Sequence, residues 1–210
     1  MYNDTTTPAL IVGEKNVPGT DKLHFCKPAD VAVFKNGDFF VADGYCNSRI
    51  MKFDKFGQYL MEWSSDEEGR PGHFNIPHGL ALHEASSLLC VADRENYRVQ
   101  CFDVNGNFMH QSVDKEFGPI YGISFAANNG TVLYAINGFA GGALQQQYEK
   151  KVILIQVTDG SIMATISVDQ SEVVSPHAIA INGDASEIYI ATLNPGSVVK
   201  YSYLSFTSEN

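Results

Sequence analysis

Basic residues are scarce in this chain. Fourteen Lys and Arg stand against 24 Asp and Glu, a formal net charge of −10 over 210 residues. A surface for nucleic-acid phosphates needs clustered cations, and here the few are dispersed, so nucleic acid is excluded as a partner. Long apolar runs are missing as well. None approaches the roughly 18 residues needed to span a bilayer, so no membrane span is expected. The opening MYNDTTTPAL is polar and lacks the charged-then-apolar layout of a secretory signal. Cysteines number only four, which allows three pairings.

What the chain does have is a repeated unit, clearest in the stretch Asn75 to Asp103. Pro77 to Leu82 reads as a turn feeding a strand, Leu88 to Ala92 as a second strand, Asp93 to Asn96 as a polar turn, and Arg98 to Phe102 as a third strand. The unit recurs from Pro28 (Val31–Val33, Phe39–Asp43, Arg49–Asp54) and from Pro176 (Ala178–Ile181, Ile188–Ala191, Val198–Tyr201). A more diverged copy runs through Tyr121–Phe125, Val132–Ala135 and Lys151–Ile155. A fourth strand follows in most copies: Gln58–Trp63, Asn107–Gln111 and Ser161–Ile166, with a weak one at Tyr203–Phe206. The first strands begin near Val31, Leu80, Ile123 and Ile179, at intervals of 49, 43 and 56 residues. Four strands recurring about every 40–45 residues are the signature of propeller blades. The fold class is therefore all-β, a propeller of four-stranded blades with about four present. Since propellers close into rings of about 4–8 blades, the chain is expected to be part of a larger ring. Pro8–Val12 fits the last strand of a preceding blade or a ring-closing strand.

If Ala92 pairs with Val99 across the turn, Cys90 falls opposite Cys101, where cross-strand Cβ atoms lie about 4.5–5.5 Å apart, close to disulfide reach. Cys26 and Cys46 remain as the second pair. Paired cysteines point to an oxidising compartment, hence the secretory pathway or the extracellular space. Asn3-Asp4-Thr5 and Asn129-Gly130-Thr131 match the glycosylation acceptor pattern. Disulfides without a signal imply an N-terminal segment outside this chain.

Candidate chemistry gathers at the blade entrances. Pro77-His78 and Pro176-His177 occupy the same point of the repeat, where the innermost strand begins. Two imidazoles from different blades would thus face one central channel. Histidine is the commonest metal ligand, and catalytic zinc takes three protein ligands and one open position. The other copies carry Ala29 and, approximately, Ile120 or Tyr121, so two candidate ligands are present. A repeat consensus with each imidazole bonded to the backbone is the other reading. The first hairpin turn, Asp43 to Arg49, carries Tyr45 beside Cys46, and spacing leaves open whether Tyr45 caps the blade edge or acts chemically. In the second turn Arg94 follows Asp93. It either binds a carboxylate or pairs with Glu95 or Asp93. The 64–73 loop reads as solvated, and the Gly- and Gln-rich stretch 137–150 as an insertion.

HFCKPADVAV, VADGYCNSRI, RPGHFNIPHGLAL, LCVADRENYRVQCF and SPHAIAI together resemble peptidyl-α-hydroxyglycine α-amidating lyase, a six-bladed propeller family of NHL type. The resemblance covers most of the chain from about His24, and is weakest in the third copy. It implies a lyase domain over 1–210 without its N-terminal blades. That domain would cleave a peptide's C-terminal α-hydroxyglycine to peptide amide and glyoxylate, with zinc held by three histidines. By the resemblance, His78 and His177 match two ligands, Tyr45 a catalytic base, Arg94 an active-site arginine, and Cys26–Cys46 and Cys90–Cys101 the two disulfides. The peptide substrate would come from a monooxygenase, fused or separate. The family's structural calcium uses an aspartate where this chain has Ala178, so calcium is not expected to be held in the family's way. The third zinc ligand would come from His24, His73, an added chain or solvent. The competing expectation is a catalytically incomplete propeller that binds a peptide or protein.

Overall fold

The computed structural model describes residues 8–126, 129–139 and 148–202, Asn129 by its backbone alone. Strands β1 (Asp30–Val33), β2 (Phe39–Asp43), β3 (Arg49–Phe53) and β4 (Tyr59–Trp63) form the first antiparallel sheet, paired in chain order. The second holds β5 (Pro77–His83), β6 (Leu88–Asp93), β7 (Arg98–Asp103) and β8 (Phe108–Val113). The third holds β9 (Ile120–Ala126), β10 (Asn129–Asn137), β11 (Lys151–Gln156) and β12 (Ile162–Ser167). The last has three described strands, β13 (Pro176–Ile181), β14 (Glu187–Thr192) and β15 (Ser197–Ser202). The inner strands lie side by side, β1 against β5, β5 against β9 and β9 against β13. These are consecutive propeller blades, as the repeat predicts. No helix among the described residues is long and apolar enough to cross a membrane.

Blade position explains strand composition. Middle strands are covered on both faces, so β6 (LLCVAD) is buried throughout and β2 nearly so. Outer strands face solvent, and β4 (YLMEW) alternates partly buried with exposed residues. Apolar layers fill the spaces between blades. Phe40, Ile50, Leu80, Leu89, Val91 and Phe102 join the first to the second, and Ile136, Val152, Ile179 and Ile190 join the third to the fourth. Burial of each such side chain contributes about 1.5–3 kcal/mol. The outer hairpins of the first two blades share one turn. Asp54 Oδ1 accepts from the backbone N–H groups of Phe56 and Gln58, and Asp103 Oδ1 from those of Asn105 and Asn107. Gly57 and Gly106 supply the positive φ each turn requires.

Cys90 stands opposite Cys101 in the β6–β7 register, with Ala92 opposite Val99, and the two are disulfide-bonded at a Cα separation of 4.1 Å. Cys26 and Cys46 form the other disulfide. Both pairings agree with the sequence reading. Pro8–Val12 does not. It is no strand, and the lead-in holds only an isolated bridge between Glu14 and Val17. Gly13, at φ +90°, bends the chain out of an extended path. Val12 and Phe25 instead pack on Val41, Met51 and Phe53, covering the outer face of the first blade. Asn3, Tyr203–Phe206 and residues 140–147 of the insertion lie outside the described residues. Asn129 begins β10.

Candidate active site

Three inner strands share a defect at their second residue. Pro77 pairs with Asp93 and Gly79 with Ala92, leaving His78 out of register. Ile120 pairs with Asn137 and Gly122 with Ile136, leaving out Tyr121. Pro176 pairs with Thr192 and Ala178 with Ala191, leaving out His177. A bulge re-aims the side chain it carries, and these three are aimed together. The imidazoles of His78 and His177 have centroids 4.7 Å apart at 77°. The Tyr121 ring lies 5.1 Å from His78 and 5.6 Å from His177. Glycines permit this approach. A Cβ on Gly79 would lie 3.1 Å from the Tyr121 carbonyl oxygen, and one on Gly122 3.0 Å from the Ala178 Cα.

His78 Nδ1 bonds the Tyr121 carbonyl at 2.8 Å. A carbonyl only accepts, so Nδ1 carries the proton and Nε2 is a free lone pair. That lone pair accepts from the Tyr45 hydroxyl at 3.0 Å. Arg94 Nη1 donates to the same phenolic oxygen at 3.4 Å, and its guanidinium stacks over the Tyr45 and Tyr121 rings at 5.3 and 4.9 Å. Arg94 Nε is paired with Glu95 at 2.9 Å. Arg94 is therefore ion-paired with Glu95, as one of its two readings has it, and at the same time reaches the Tyr45 oxygen. Tyr45 lies on the rim, 43% exposed.

Two buried aspartates, which sequence reasoning passed over, hold the turns that carry Tyr45 and Arg94. Asp93 accepts from Asn75 N–H, Asn96 Nδ2, Gln100 Nε2 and Arg98 Nε. Arg98 Nη2 bonds the His73 carbonyl. Asp43 accepts from Cys26 N–H, Asn47 Nδ2 and Arg49, whose guanidinium also binds the carbonyls of Thr20, Asp21 and His24. Each aspartate thus ties a hairpin turn to the chain entering its own blade, and the Cys26–Cys46 bridge adds a covalent tie beside Tyr45. The recurring Val-Ala-Asp with Arg five or six residues on is the sequence signal that would have found these pairs.

Burial pushes His78 down to about 4, with His177 and Arg94 adding to the effect and the Tyr121 carbonyl opposing it. Burial, then Arg94, lowers His177 as well. Burial raises the Tyr121 phenol, so it stays neutral. Both imidazoles are neutral at pH 7, the form that ligates a metal. Because the folded His78 binds its proton less readily than the unfolded chain does, its contribution to stability is full above about 6.5 and is lost as pH falls towards about 4. In chelator-containing buffer, wild type should lose more denaturation midpoint between pH 7.5 and 4.5 than His78→Gln does. Equal losses would refute this assignment.

The ring nitrogens of His177 have no hydrogen-bond partner among the described residues. No group of three His, Cys, Asp or Glu able to hold a metal occurs among those residues. His24 is bonded to Asp21 and His73 to the Ser65 carbonyl, so neither joins the imidazole pair. The donor set fits part of a zinc site, two facing neutral imidazoles, and among the described residues it has no third protein ligand of a complete one.

A model of the NHL repeat family matches residues 25–53 and 74–102. The chain is 41% identical over 204 residues to peptidyl-glycine alpha-amidating monooxygenase B of Xenopus laevis, covering 93% of this chain and 22% of that protein. It is 35% identical over 210 residues to peptidyl-alpha-hydroxyglycine alpha-amidating lyase 1 of Drosophila melanogaster, covering 94% of this chain and 39% of the relative. A probable lyase of the same name from Caenorhabditis elegans is 56% identical over 102 residues, 47% of this chain and 29% of that one. Among solved structures, that of U3-55K superposes with a TM-score of 0.59 at 13% identity, covering 83% of this chain and 51% of the other. At that identity the likeness concerns the propeller fold alone. Blades and repeats make this an NHL-repeat β-propeller. More narrowly, over most of its length the chain is similar to peptidyl-alpha-hydroxyglycine alpha-amidating lyase 1 of Drosophila, and it spans about a fifth of the length of the Xenopus monooxygenase it matches.

Proposed function

We propose that this chain carries the working face of a lyase that splits peptidyl-α-hydroxyglycine into a peptide amide and glyoxylate. The single observation that carries the reading is the convergence of Tyr45, His78, His177 and Arg94 from two hairpin turns and two bulges onto one spot. The substrate is a hemiaminal. A base removes the hydroxyl proton, the C–O bond becomes the carbonyl of glyoxylate, the C–N bond breaks, and the departing amide nitrogen takes up a proton. Tyr45 is proposed to exchange that proton, a reading supported by its oxygen meeting a donor in Arg94 and an acceptor in His78 Nε2. Arg94 stabilises negative charge on the phenolic oxygen and attracts the substrate carboxylate.

His78 and His177 are proposed as two ligands of a zinc ion whose third protein donor lies outside the described residues. When bound, zinc supplies Lewis acidity that lowers the pKa of a hydroxyl it contacts. His78 Nε2 has one lone pair, so metal binding and the Tyr45 hydrogen bond are alternatives there. The hydroxylated peptide would be produced by a monooxygenase activity, fused or separate, in keeping with the names of the Xenopus relatives. Two disulfides support action in the secretory pathway.

The test is glyoxylate release from a synthetic peptidyl-α-hydroxyglycine, with zinc binding measured in parallel by competition against a chelating dye. Zinc-dependent release that His78→Ala abolishes, together with weaker zinc binding in that variant, is the expected result. Folded, zinc-treated protein that binds the peptide without cleaving it would establish the binding-module reading instead.

A further inference from the structure

Tyr121 is not among the residues that the sequence marks out as chemical, yet it stands at the centre of the site. It occupies in the third blade the bulge position that His78 and His177 occupy in the second and fourth. Five contacts meet on it. Its carbonyl accepts from His78 Nδ1 at 2.8 Å, its ring contacts both imidazoles, its face carries the Arg94 guanidinium at 4.9 Å, and its hydroxyl donates to the Phe139 carbonyl at 2.9 Å. The surroundings are cut to fit this ring. A Cβ on Gly138 would come within 2.5 Å of it, and the Gly138 N–H is held by the Pro119 carbonyl at 2.8 Å.

We infer that Tyr121 is a positioning residue of the active site: its ring holds Arg94 against the Tyr45 oxygen and packs against both imidazoles. The inference rests on the lyase reading above. The physical reason is the confinement of Arg94. Glu95 restrains Nε from one side, and the Tyr45 and Tyr121 rings sandwich the guanidinium between them. Cations over aromatic faces are attracted by the ring quadrupole, more strongly where water is excluded. With the Tyr121 ring removed, one wall of that sandwich is gone and the guanidinium can swing towards Glu95, away from an oxygen it now reaches at 3.4 Å. Misplacing a catalytic group by about 1 Å costs on the order of a hundredfold in rate.

Two measurements test this. In the first, kcat and KM are determined for Tyr121→Phe, Tyr121→Leu, Arg94→Ala and the Tyr121→Leu/Arg94→Ala double variant. Tyr121→Phe, which keeps the ring, should stay within about threefold of wild type. Tyr121→Leu should lose about ten- to a hundredfold in kcat with KM little changed, and should add almost nothing in the Arg94→Ala background. Losses that multiply, or a Phe variant as poor as Leu, would overturn the inference. In the second, Tyr121→His is compared with wild type for zinc binding alone. A third imidazole at this bulge should tighten zinc at least about tenfold. Unchanged affinity would mean that the side chain is not aimed where the histidines are, and would overturn the inference even if the wild-type chain released no glyoxylate. An inactive wild type with the tightened Tyr121→His variant would sink the lyase reading while leaving the geometry standing.

Discussion

Tyr45→Phe is expected to lower kcat for glyoxylate release by about 10²–10⁴-fold, the range for loss of a general acid–base group. The substitution removes one oxygen. The ring stays, edge-on to His78 at 5.6 Å and beneath the Arg94 guanidinium. Tyr45 is on the rim and buries little of the core, so the thermal midpoint should be unchanged within the range of surface substitutions, about 0.5 kcal/mol. The loss must then come from the phenolic oxygen, which lies 3.0 Å from His78 Nε2 and within reach of Arg94. Steady-state kinetics with a synthetic hydroxyglycine peptide, alongside a melting curve, decide the matter. Activity retained within threefold would remove Tyr45 from the proton-transfer role.

Arg98→Met should cost about 3 kcal/mol or more in urea denaturation, the range for breaking a buried ion pair from one side. Arg98 and Asp93 face each other as register partners on β6 and β7, at 2.7 Å, and the Asp93 side chain is fully shielded from water. Methionine keeps most of the volume, so the loss is electrostatic. Asn75, Asn96 and Gln100 continue to bond the carboxylate, which holds the effect near the lower end. Burial already raises Asp93 above the ordinary carboxylate range, against the opposing bonds from Asn75, Asn96 and Arg98. A raised folded-state pKa means that stability is lost as pH rises from the unfolded value through the folded one. Without Arg98 that loss grows. The variant's deficit should therefore be larger at pH 7.5 than at pH 4.5, and adding Asp93→Asn should recover part of it. A deficit below about 1 kcal/mol, or one independent of pH, would show that Asp93 does not depend on its arginine.

Much of the blade architecture was legible because a propeller repeats. Each blade must bury both faces of its middle strands, so apolar runs such as Leu88–Ala92 and Phe39–Ala42 return with the same turns between them. Register followed from one hairpin, and it put Cys90 opposite Cys101. The lead-in was misread because Pro8–Val12 has the composition of an edge strand. Composition cannot reveal that Val12 and Phe25 serve better as a cover for Val41, Met51 and Phe53. The Asp–Arg latches were visible as a repeated spacing, but local sequence offered Asp93, beside Glu95, only as a partner for Arg94. Only the pairing of β6 with β7 gives it to Arg98.

By itself the sequence determined the class of fold and the Cys90–Cys101 pairing, with Cys26–Cys46 as the remainder, since these depend on periodicity and strand register; it singled out His78 and His177 by their place in the repeat, and left the roles of Tyr45 and Arg94 to a family resemblance. The tertiary structure decided how those side chains meet. Three bulges in separate blades turn His78, Tyr121 and His177 towards one point, and glycines at 79 and 122 let the inner strands approach until a carbonyl of one fixes the tautomer of a histidine on the next. That convergence depends on the packing between blades, which brings together residues up to 132 positions apart, from Tyr45 to His177, and no local pattern encodes it.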